Sequence, residues 1–353
     1  MNCLYRLIKP LLFKLDAERA HGLAVCALKS GWVPERKRII DPRLKQSVLG
    51  LNFDHPIGLA AGFDKNAEIY NALLGQGFGF VEIGSVTPKP QPGNDKPRLF
   101  RLALDQAVIN RMGFNNAGMD VVAENLVSRM GHRSGIVGVN LGKNKTTVNA
   151  IDDYVLGINR LAPFADYAVI NVSSPNTPGL RELQGRDALF DLLTAVKSAL
   201  TAVEMDKKIP LLLKVAPDLM DDDKQDIVDV ALECAIEGLI ISNTTIARPE
   251  NLLDRQSQEI GGLSGRPLMA PSTAVLKDFY KLSNGKLLLI GVGGVSSAED
   301  AYQKIRSGAT LVQLYSAMVY QGPSIAGDIA RGLADLLAAD GFKNVSDAVG
   351  VDV

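Results

Sequence analysis

Tyr167-Ala-Val-Ile-Asn-Val-Ser-Ser-Pro-Asn-Thr-Pro-Gly179 is the stretch around which the predicted fold is built, and it lies close to the midpoint of the chain. Its first four residues form an apolar run that is typical of a buried strand. Hydroxyl and carboxamide side chains follow, together with two prolines whose rings restrict φ. A single segment of this kind is usually a polar turn, but seven other predicted strands end in a comparable way.

Eight short apolar runs alternate with amphipathic segments of helical length, such as residues 186–204, 222–237 and 298–307. The predicted strands are Ile57–Ala61, Phe80–Val86, Ile136–Leu141, Tyr167–Val172, Leu211–Val215, Leu239–Ser242, Leu287–Val292 and Leu311–Leu314. Eight parallel units in about 300 residues are what a (β/α)8 barrel requires. We therefore predict an α/β fold, a TIM barrel with an N-terminal two-helix extension. The alternative is a doubly wound open sheet, but its G-x-G-x-x-G fingerprint after the first strand is missing.

Charge is unevenly distributed along the chain. All 353 residues carry a formal net charge of −1, which gives no indication of nucleic-acid binding. Residues 1–48 contain ten Lys and Arg against four Asp and Glu, a balance of +6, whereas residues 49–353 carry −7. A basic, apolar amino end on an acidic body is typical of contact with an anionic membrane surface.

The start of the chain is predicted to form two short amphipathic helices. In the first helix, Pro10 must lie in the first turn or cause a kink. Asp16 is the predicted N-cap of the second helix, and Gly31 can end it. Such helices need a partner, which here is the barrel, a membrane, or both. We divide the chain into an N-terminal amphipathic helix pair with access to a membrane (1–40) and a barrel domain (41–353).

Cysteine and histidine usage indicates no metal site and a reducing compartment. Neither residue type has the spacing of a disulfide framework or of metal ligands; the residues are Cys3, Cys26, Cys234, His21, His55 and His132. No run approaches the ~20 apolar residues of a membrane span. The start lacks the apolar core and cleavage site of a signal peptide. We expect a peripheral protein at the cytoplasmic face of the inner membrane.

Two connections are too long for plain crossovers between barrel strands. Residues 87–118 contain four prolines and an alternating segment, and residues 245–270 contain a glycine-rich segment. Long loops in a compact domain are usually functional or disordered. In a barrel, loops that follow strands lie at the catalytic end.

The last two strand ends resemble a standard phosphate site. Gly293 and Gly294 let the backbone approach an anion, and Ser296 with Glu299 is predicted to form a capping box at the start of a helix. A tight turn is the alternative for the glycines. After the seventh strand of a barrel, the phosphate interpretation is favoured.

Two lysines and a set of asparagines are predicted to meet at the mouth of the barrel. Lys214 ends an apolar run, where a lysine is costly unless it faces an anion, although it could simply pair with Asp218. Lys65 points toward the same mouth. The amides suit a planar ring such as a pyrimidine or an isoalloxazine; they are Asn110, Asn140, Asn171, Asn176 and Asn243. Together these groups indicate a flavin mononucleotide (FMN) enzyme.

The chain resembles the quinone-dependent (class 2) dihydroorotate dehydrogenase family over essentially its whole length. The segments that carry the resemblance are Gly58-Leu-Ala-Ala-Gly-Phe-Asp-Lys65, Glu82-Ile-Gly-Ser85, Pro88 to Arg101, Asn110-Arg-Met-Gly-Phe-Asn115, Asn171 to Gly179, Ser242-Asn-Thr-Thr245, Gly262-Leu-Ser-Gly-Arg266 and Gly291-Val-Gly-Gly294.

The resemblance implies one FMN per chain and dihydroorotate as the substrate, with orotate as the product. FMN would be held by Ala61, Gly62, Phe63, Asp64, Lys65, Ser85, Asn140, Asn171, Lys214, Ser242 and Gly265, and around its phosphate by Gly294, Tyr315 and Ser316. Dihydroorotate would contact Lys65, Asn110, Arg111, Met112, Gly113, Phe114, Asn171, Asn176, Asn243 and Thr244. Lys65 would meet the substrate carboxylate. Ser85 stands where many relatives have Thr, so the hydroxyl is kept.

The resemblance also implies that Ser174 is the catalytic base. It would remove the C5 proton while C6 passes hydride to flavin N5, and class 1 relatives have a cysteine at this position. Serine is a poor base without a partner. Our hypothesis is that Thr177 and a water pass the proton onward.

The implied electron acceptor is a membrane quinone, either ubiquinone or menaquinone. In the family it enters between the N-terminal helices, near positions that match His21 and Arg101. Three alternatives remain: a soluble class 1-type enzyme that uses fumarate or NAD, a flavin-free barrel aldolase with Lys65 or Lys214 as a Schiff base, and a catalytically dead barrel that serves as a scaffold.

Overall fold

A computed structural model of the chain describes residues 3–130 and 134–353, with backbone only for Cys3 and Leu4, so the expectation for His132 lies outside the described residues. The described strands are β1 (Gln46–Val48), β2 (Leu51–Phe53), β3 (Ile57–Leu59), β4 (Phe80–Val86), β5 (Leu99–Leu102), β6 (Ala107–Asn110), β7 (Ile136–Leu141), β8 (Tyr167–Asn171), β9 (Leu211–Val215), β10 (Gly238–Ile241), β11 (Gly262–Gly265), β12 (Leu288–Val292) and β13 (Leu311–Leu314). The α-helices are α1 (Cys3–Leu12), α2 (Ala17–Lys29), α3 (Tyr70–Gly75), α4 (Met119–Leu126), α5 (Ala150–Leu161), α6 (Arg186–Ala202), α7 (Asp221–Glu233), α8 (Met269–Leu282), α9 (Ala298–Arg306), α10 (Ser316–Gln321) and α11 (Ile325–Ala339).

Eight parallel strands close into a barrel in the order β3, β4, β7, β8, β9, β10, β12, β13, with β13 pairing back onto β3. All eight correspond to the predicted strands, so the (β/α)8 barrel with an N-terminal helix pair is confirmed. The strands are buried on both faces, which explains their nearly continuous apolar sequences. The predicted helices 186–204, 222–237 and 298–307 are present as α6, α7 and α9, with ends that differ by a few residues.

The β1–β2 hairpin closes the amino end of the barrel. Phe53 on β2 packs edge-on against Phe80 at the start of β4, with ring centroids 5.4 Å apart. Phe80 in turn packs against Tyr167 at the start of β8. This apolar plug leaves the carboxyl end as the open mouth of the barrel, where enzymes of this fold place their sites.

The N-terminal helices dock on the barrel at that mouth. Asp16 caps α2 as predicted, because its carboxylate accepts hydrogen bonds from the backbone N–H groups of Glu18 (3.1 Å) and Arg19 (3.0 Å). Pro10 lies in the last turn of α1, so the alternative of a first-turn proline is wrong. The Tyr5 hydroxyl donates to the carbonyl of Val319 near the end of the barrel. In the described ranges, no helix is long and apolar enough to cross a membrane.

The two long connections form a small sheet beside the mouth. β5 and β6 make a hairpin within residues 87–118, and β11 from residues 245–270 pairs antiparallel with β6. The prediction located the alternating segment of the hairpin but not its partner strand. Long-range pairing of this kind depends on how the barrel brings the two loops together, which short-range patterns do not report.

Candidate active site

A single continuous cavity of about 550 Å³ extends from the carboxyl ends of the barrel strands to the space between α1 and α2. Most of the predicted site residues line it: His21, Ala61, Gly62, Phe63, Lys65, Ser85, Arg101, Asn110, Met112, Gly113, Phe114, Asn171, Ser174, Asn176, Lys214, Ser242, Asn243, Thr244, Gly265, Gly294, Tyr315 and Ser316. The strand ends and the helix pair therefore line the same cavity.

Three predicted residues lie outside the cavity lining. The Asp64 carboxylate accepts two backbone N–H bonds just before α3, at 2.8 and 2.9 Å. Arg111 turns away toward Glu259, at 2.8 Å, and its guanidinium lies 4.5 Å from the centre of the Phe100 ring. Asn140 is fully buried behind the lining. Their direct contacts with a ligand stay predictions.

Three of the five asparagines, Asn140, Asn171 and Asn243, belong to one hydrogen-bonded network at the ends of β4, β7, β8 and β10. Asn171 donates to the Ser85 hydroxyl (2.9 Å) and to the Asn140 carbonyl (3.2 Å). Asn243 donates to the Asn171 carbonyl (3.3 Å) and to the Ser173 hydroxyl (3.0 Å). Asn171 thus uses both of its amide protons within the protein, which fixes the orientation of its neighbours.

Glu82 is the buried acid that the sequence reasoning missed. Its Oε1 lies 3.9 Å from Lys214 Nζ, and it accepts hydrogen bonds from Asn140 and Gln313 at 2.7 Å each. Asp218 instead pairs with Arg181, so the suggested pairing of Lys214 with Asp218 is wrong. The sequence signal for this residue is that Glu82 is the single acidic residue in the buried strand β4.

Burial lowers the pKa of Lys214, and the nearby Glu82 carboxylate offsets part of that shift. The side chains of Lys214 and Glu82 are 6% and 0% exposed. At 3.9 Å the pair stabilises the ammonium without consuming all its donors. Lys214 can therefore still bind an acceptor in the cavity.

Ser174 sits at the end of β8 and is almost fully buried. The backbone N–H of Asn176 donates to its hydroxyl at 3.3 Å. Within the described residues, no acidic or imidazole side chain hydrogen-bonds to Ser174. Nearby, the buried Thr177 hydroxyl has no hydrogen-bond partner among the residues that the structure describes. A buried hydroxyl of this kind normally has a partner.

Lys65 is a cation in the polar part of the cavity lining. Its Nζ donates to the Gly62 carbonyl at 2.7 Å. Burial lowers the pKa of Lys65 to about 8, against a small opposing effect of Glu18. Such a lysine gains most from an anionic ligand, since pairing restores the charged form.

The predicted phosphate corner is formed by glycine backbone and two serines. Gly293 and Gly294 have φ values of +110° and +82°, which favour glycine. The hydroxyls of Ser264 and Ser316 are 2.8 Å apart.

The capping prediction beside this corner was off by one residue. Ser297, not Ser296, caps α9 by accepting from the N–H of Asp300 at 3.2 Å. Ser296 donates instead to the Asp300 carboxylate, at 2.9 Å from its N–H and 2.8 Å from its hydroxyl. Ser-Ser sequences leave the register of a cap ambiguous, because either hydroxyl can serve.

The outer end of the cavity is apolar and lies between the N-terminal helices. The His21 ring packs edge-on against Phe63, with centroids 4.8 Å apart. Burial, reinforced by the charge of Lys65, lowers the pKa of His21 to about 3, so the imidazole is neutral near pH 7. Arg101 donates to the carbonyls of Leu12 (3.1 Å) and Phe13 (3.3 Å), which fastens the end of α1 to β5.

Comparison with protein families gives a match over most of the barrel. The family model described as Dihydroorotate dehydrogenase matches residues 43–337. The matched region begins just after the helix pair and ends in α11. It contains every predicted site residue except His21.

Individual relatives match over nearly the whole chain. A protein of Rhodospirillum rubrum named dihydroorotate dehydrogenase (quinone) is 55% identical over 348 residues, covering 99% of this chain and 94% of its own. A mitochondrial protein of the same name from Oryza sativa subsp. japonica is 53% identical, covering 98% and 80%. The crystal structure of DHODH in complex with ferulenol from Eimeria tenella superposes with a TM-score of 0.92 at 48% identity, covering 96% of both chains.

Proposed function

The chain belongs to the dihydroorotate dehydrogenase family, and from that premise we propose that it oxidises (S)-dihydroorotate to orotate, in pyrimidine biosynthesis, with a membrane quinone as the final acceptor. The reaction removes two electrons and two protons from the substrate and delivers them to form a quinol. The observation that carries the proposal is the cavity itself, which joins a polar chamber at the strand ends to an apolar chamber between α1 and α2.

The residues at the strand ends fit FMN. Gly294 lines the cavity, and its loop packs so closely on the start of α8 that a Cβ there would lie 2.4 Å from Met269 Cα. Lys214 places its amino group, 3.9 Å from Glu82, beside the inner cavity, and Ser85 and Asn171 present a fixed polar surface. We propose that these residues, with Gly265, Tyr315 and Ser316, hold one FMN, whose phosphate would lie at Gly294, Tyr315 and Ser316. FMN would supply the acceptor for hydride from the substrate and pass the electrons to the quinone.

Substrate positioning is assigned to Lys65 and to the side-chain amides of Asn176 and Asn243. Lys65 would pair with the substrate carboxylate, which an ammonium in a partly dehydrated site binds strongly. Asn176 is held by the carbonyl groups of Asn110, at 3.1 and 3.2 Å, and Asn243 by Asn171. Fixed donors and acceptors of this kind recognise the amide edges of a dihydropyrimidine ring.

Ser174 is assigned the role of base at C5 of the substrate. Its hydroxyl has no strong acceptor among the described side chains, so the proton must move on to a further group. The unpartnered hydroxyl of Thr177 lies three residues later in the same loop. We assign the onward transfer to Thr177 through a water.

The quinone is assigned to the apolar end of the cavity. The lining there includes Ile8, Leu12 and Leu23 from α1 and α2, which suit an isoprenoid quinone. Neutral His21 can offer one N–H donor and one acceptor to a quinone carbonyl without carrying charge.

Attachment to a membrane surface is assigned to the outward faces of α1 and α2. Leu7 and Leu11 on α1 are 75% and 64% exposed, and Trp32 just after α2 is 82% exposed. Apolar side chains beside the basic residues of this segment are typical of a helix that lies in a membrane interface.

The decisive test is an anaerobic visible spectrum of the purified protein before and after adding dihydroorotate, and then after a soluble quinone. A yellow protein that bleaches and then regains colour is the expected result. A yellow protein whose spectrum does not change on addition of dihydroorotate would overturn the substrate assignment. A colourless protein that gains no colour with FMN would favour the Schiff-base alternative.

A further inference from the structure

Lys304, on α9, is a fully buried cation that the proposed reaction does not use. It is 0% exposed, and its Nζ donates to the hydroxyl of Ser272 at 2.6 Å. Burial lowers the pKa of Lys304 to about 7, while the charge of Asp300 acts in the opposite direction. Among the described residues, its hydrogen-bond partner is the neutral Ser272 hydroxyl, and an internal ammonium so placed is unfavourable for stability, so its retention points to a role.

Ser272, on α8, connects Lys304 to the phosphate corner. Its hydroxyl oxygen lies 2.6 Å from the carbonyl of Leu268 and 3.0 Å from the carbonyl of Gly293. The hydroxyl has one proton to donate and lone pairs to accept from Lys304. Its single proton can be donated to only one carbonyl at a time, so Ser272 packs between the start of α8 and the loop that follows β12, within hydrogen-bond distance of both.

Those two backbone segments approach each other as closely as glycine allows. A Cβ on Gly293 would lie 2.7 Å from the Ser272 hydroxyl oxygen, and one on Gly294 would lie 2.4 Å from Met269 Cα. The start of α8 lies shortly after Gly265, which is assigned to FMN, and the loop after β12 contains Gly294, which is assigned to the FMN phosphate. The spacing of the phosphate donors therefore depends on the contact that Ser272 and Lys304 hold.

We propose that Lys304 is a positioning residue for the cofactor phosphate, which it serves through Ser272 by holding the Gly293–Gly294 loop against the start of α8 and by placing a buried positive charge behind that loop. Lys304 is not among the residues that line the cavity. This inference rests on the proposed function, because it needs a phosphate-bearing flavin at the site.

Different residues are assigned to the phosphate and to the ring of FMN. Lys304 acts on the phosphate corner, whereas the ring is assigned to Lys214 and the asparagine network. Removal of the lysine charge should therefore weaken FMN, which carries the phosphate, and leave riboflavin, which lacks it, nearly unchanged. A purely structural defect would weaken both flavins together.

The test is equilibrium dialysis of the full-length protein against graded FMN and, separately, riboflavin, with bound flavin measured by absorbance. The variants are Lys304→Met, Ser272→Ala and the control Lys224→Met, a buried lysine on α7 that pairs with Asp221 and Asp278. We expect Lys304→Met to raise the Kd for FMN by about tenfold or more while changing the Kd for riboflavin by less than about threefold. Ser272→Ala should show the same selectivity, and Lys224→Met should show none.

Equal losses of FMN and riboflavin, or no loss of either, would overturn the role of Lys304. Where Lys304→Met fails to fold, the Ser272→Ala variant decides in the same assay, with selective FMN loss supporting the inference and any other result refuting it. Failure of the unaltered protein to bind FMN would refute the proposed function instead, so the two failures are distinguishable.

Discussion

The carboxylate of Glu18 on α2 accepts two hydrogen bonds from the guanidinium of Arg98, at 2.7 and 3.0 Å. The same guanidinium donates to the carbonyls of Pro92 (2.6 Å) and Asn94 (2.7 Å). Asn94 in turn donates to the backbone of Asn176 at 3.2 Å. One buried arginine therefore connects the helix pair to the loop that covers the substrate end of the cavity.

Glu18→Gln should loosen the helix pair without removing the barrel. The variant loses a bidentate, charge-assisted contact, which costs about 2 kcal/mol of unfolding free energy at neutral pH. We expect a lower midpoint in urea unfolding and a higher KM for quinone. Glu233→Gln, on the exposed pair with Arg186 at 3.9 Å, is the control and should change the unfolding free energy by less than about 0.5 kcal/mol.

The pH dependence of the Glu18 contact has a definite sign. Hydrogen bonding to Arg98 lowers the pKa of the Glu18 carboxyl below its ordinary value. Its stabilisation is therefore present above the unfolded-state pKa of about 4.3 and is lost as pH falls through the folded-state pKa. The unfolding free energies of the original protein and Glu18→Gln should converge only at a pH below the folded-state pKa of Glu18, which itself lies below the ordinary carboxyl value. A gap that persists at that pH would contradict the assignment.

Deletion of residues 1–31 should separate the two half-reactions. The deleted segment supplies the apolar end of the cavity, whereas the strand ends supply the polar chamber. We expect quinone turnover to fall far more than flavin reduction by dihydroorotate, measured by stopped-flow absorbance. Equal loss of both rates would count against this division of labour.

Ser174→Ala should abolish flavin reduction by dihydroorotate while FMN stays bound. Without the hydroxyl, no described side chain takes the C5 proton, and a general base typically contributes about 10²- to 10⁴-fold to the rate. Thr177→Val removes only the proposed onward acceptor and should slow the step less. The measurement is the anaerobic reduction rate at saturating substrate. A near-normal rate in Ser174→Ala would show that another group is the base.

The affinity for orotate should fall at alkaline pH because of Lys65. Burial lowers the pKa of Lys65 to about 8, so the neutral amine dominates above that pH and binding of the carboxylate then requires uptake of a proton. We expect a Kd that is flat below about pH 7.5 and rises toward tenfold per pH unit above about pH 8.5. Flavin fluorescence titrations report this Kd.

Two variants check the assignment of that pH dependence to Lys65. Lys65→Met should bind orotate weakly with no such slope. Lys281→Met, at an exposed position on α8, should keep the slope. A slope that survives in Lys65→Met would assign the titration to another group.

Much of the barrel and its mouth could be predicted from local patterns. Apolar runs of strand length and amphipathic segments of helix length located all eight barrel strands, because both periodicities arise within a few residues. Strand-end residues such as Lys65, Asn171 and Lys214 could be assigned to one chamber, since parallel strands in a barrel end on one side. The wrong choice of Ser296 as the cap of α9 also comes from reliance on local patterns, because the adjacent Ser297 satisfies the same pattern.

What the sequence by itself determined is therefore the order of strands and helices and the chemistry at each strand end. The partnerships were decided only by the tertiary structure: Glu82 with Lys214, Glu18 with Arg98 across 80 residues, and Ser272 with Lys304. Hydrogen bonds and ion pairs act over a few ångströms, so they depend on which side chains strand register and helix docking bring into contact. Local sequence encodes each group, and only the closed barrel with its docked helices selects the partner.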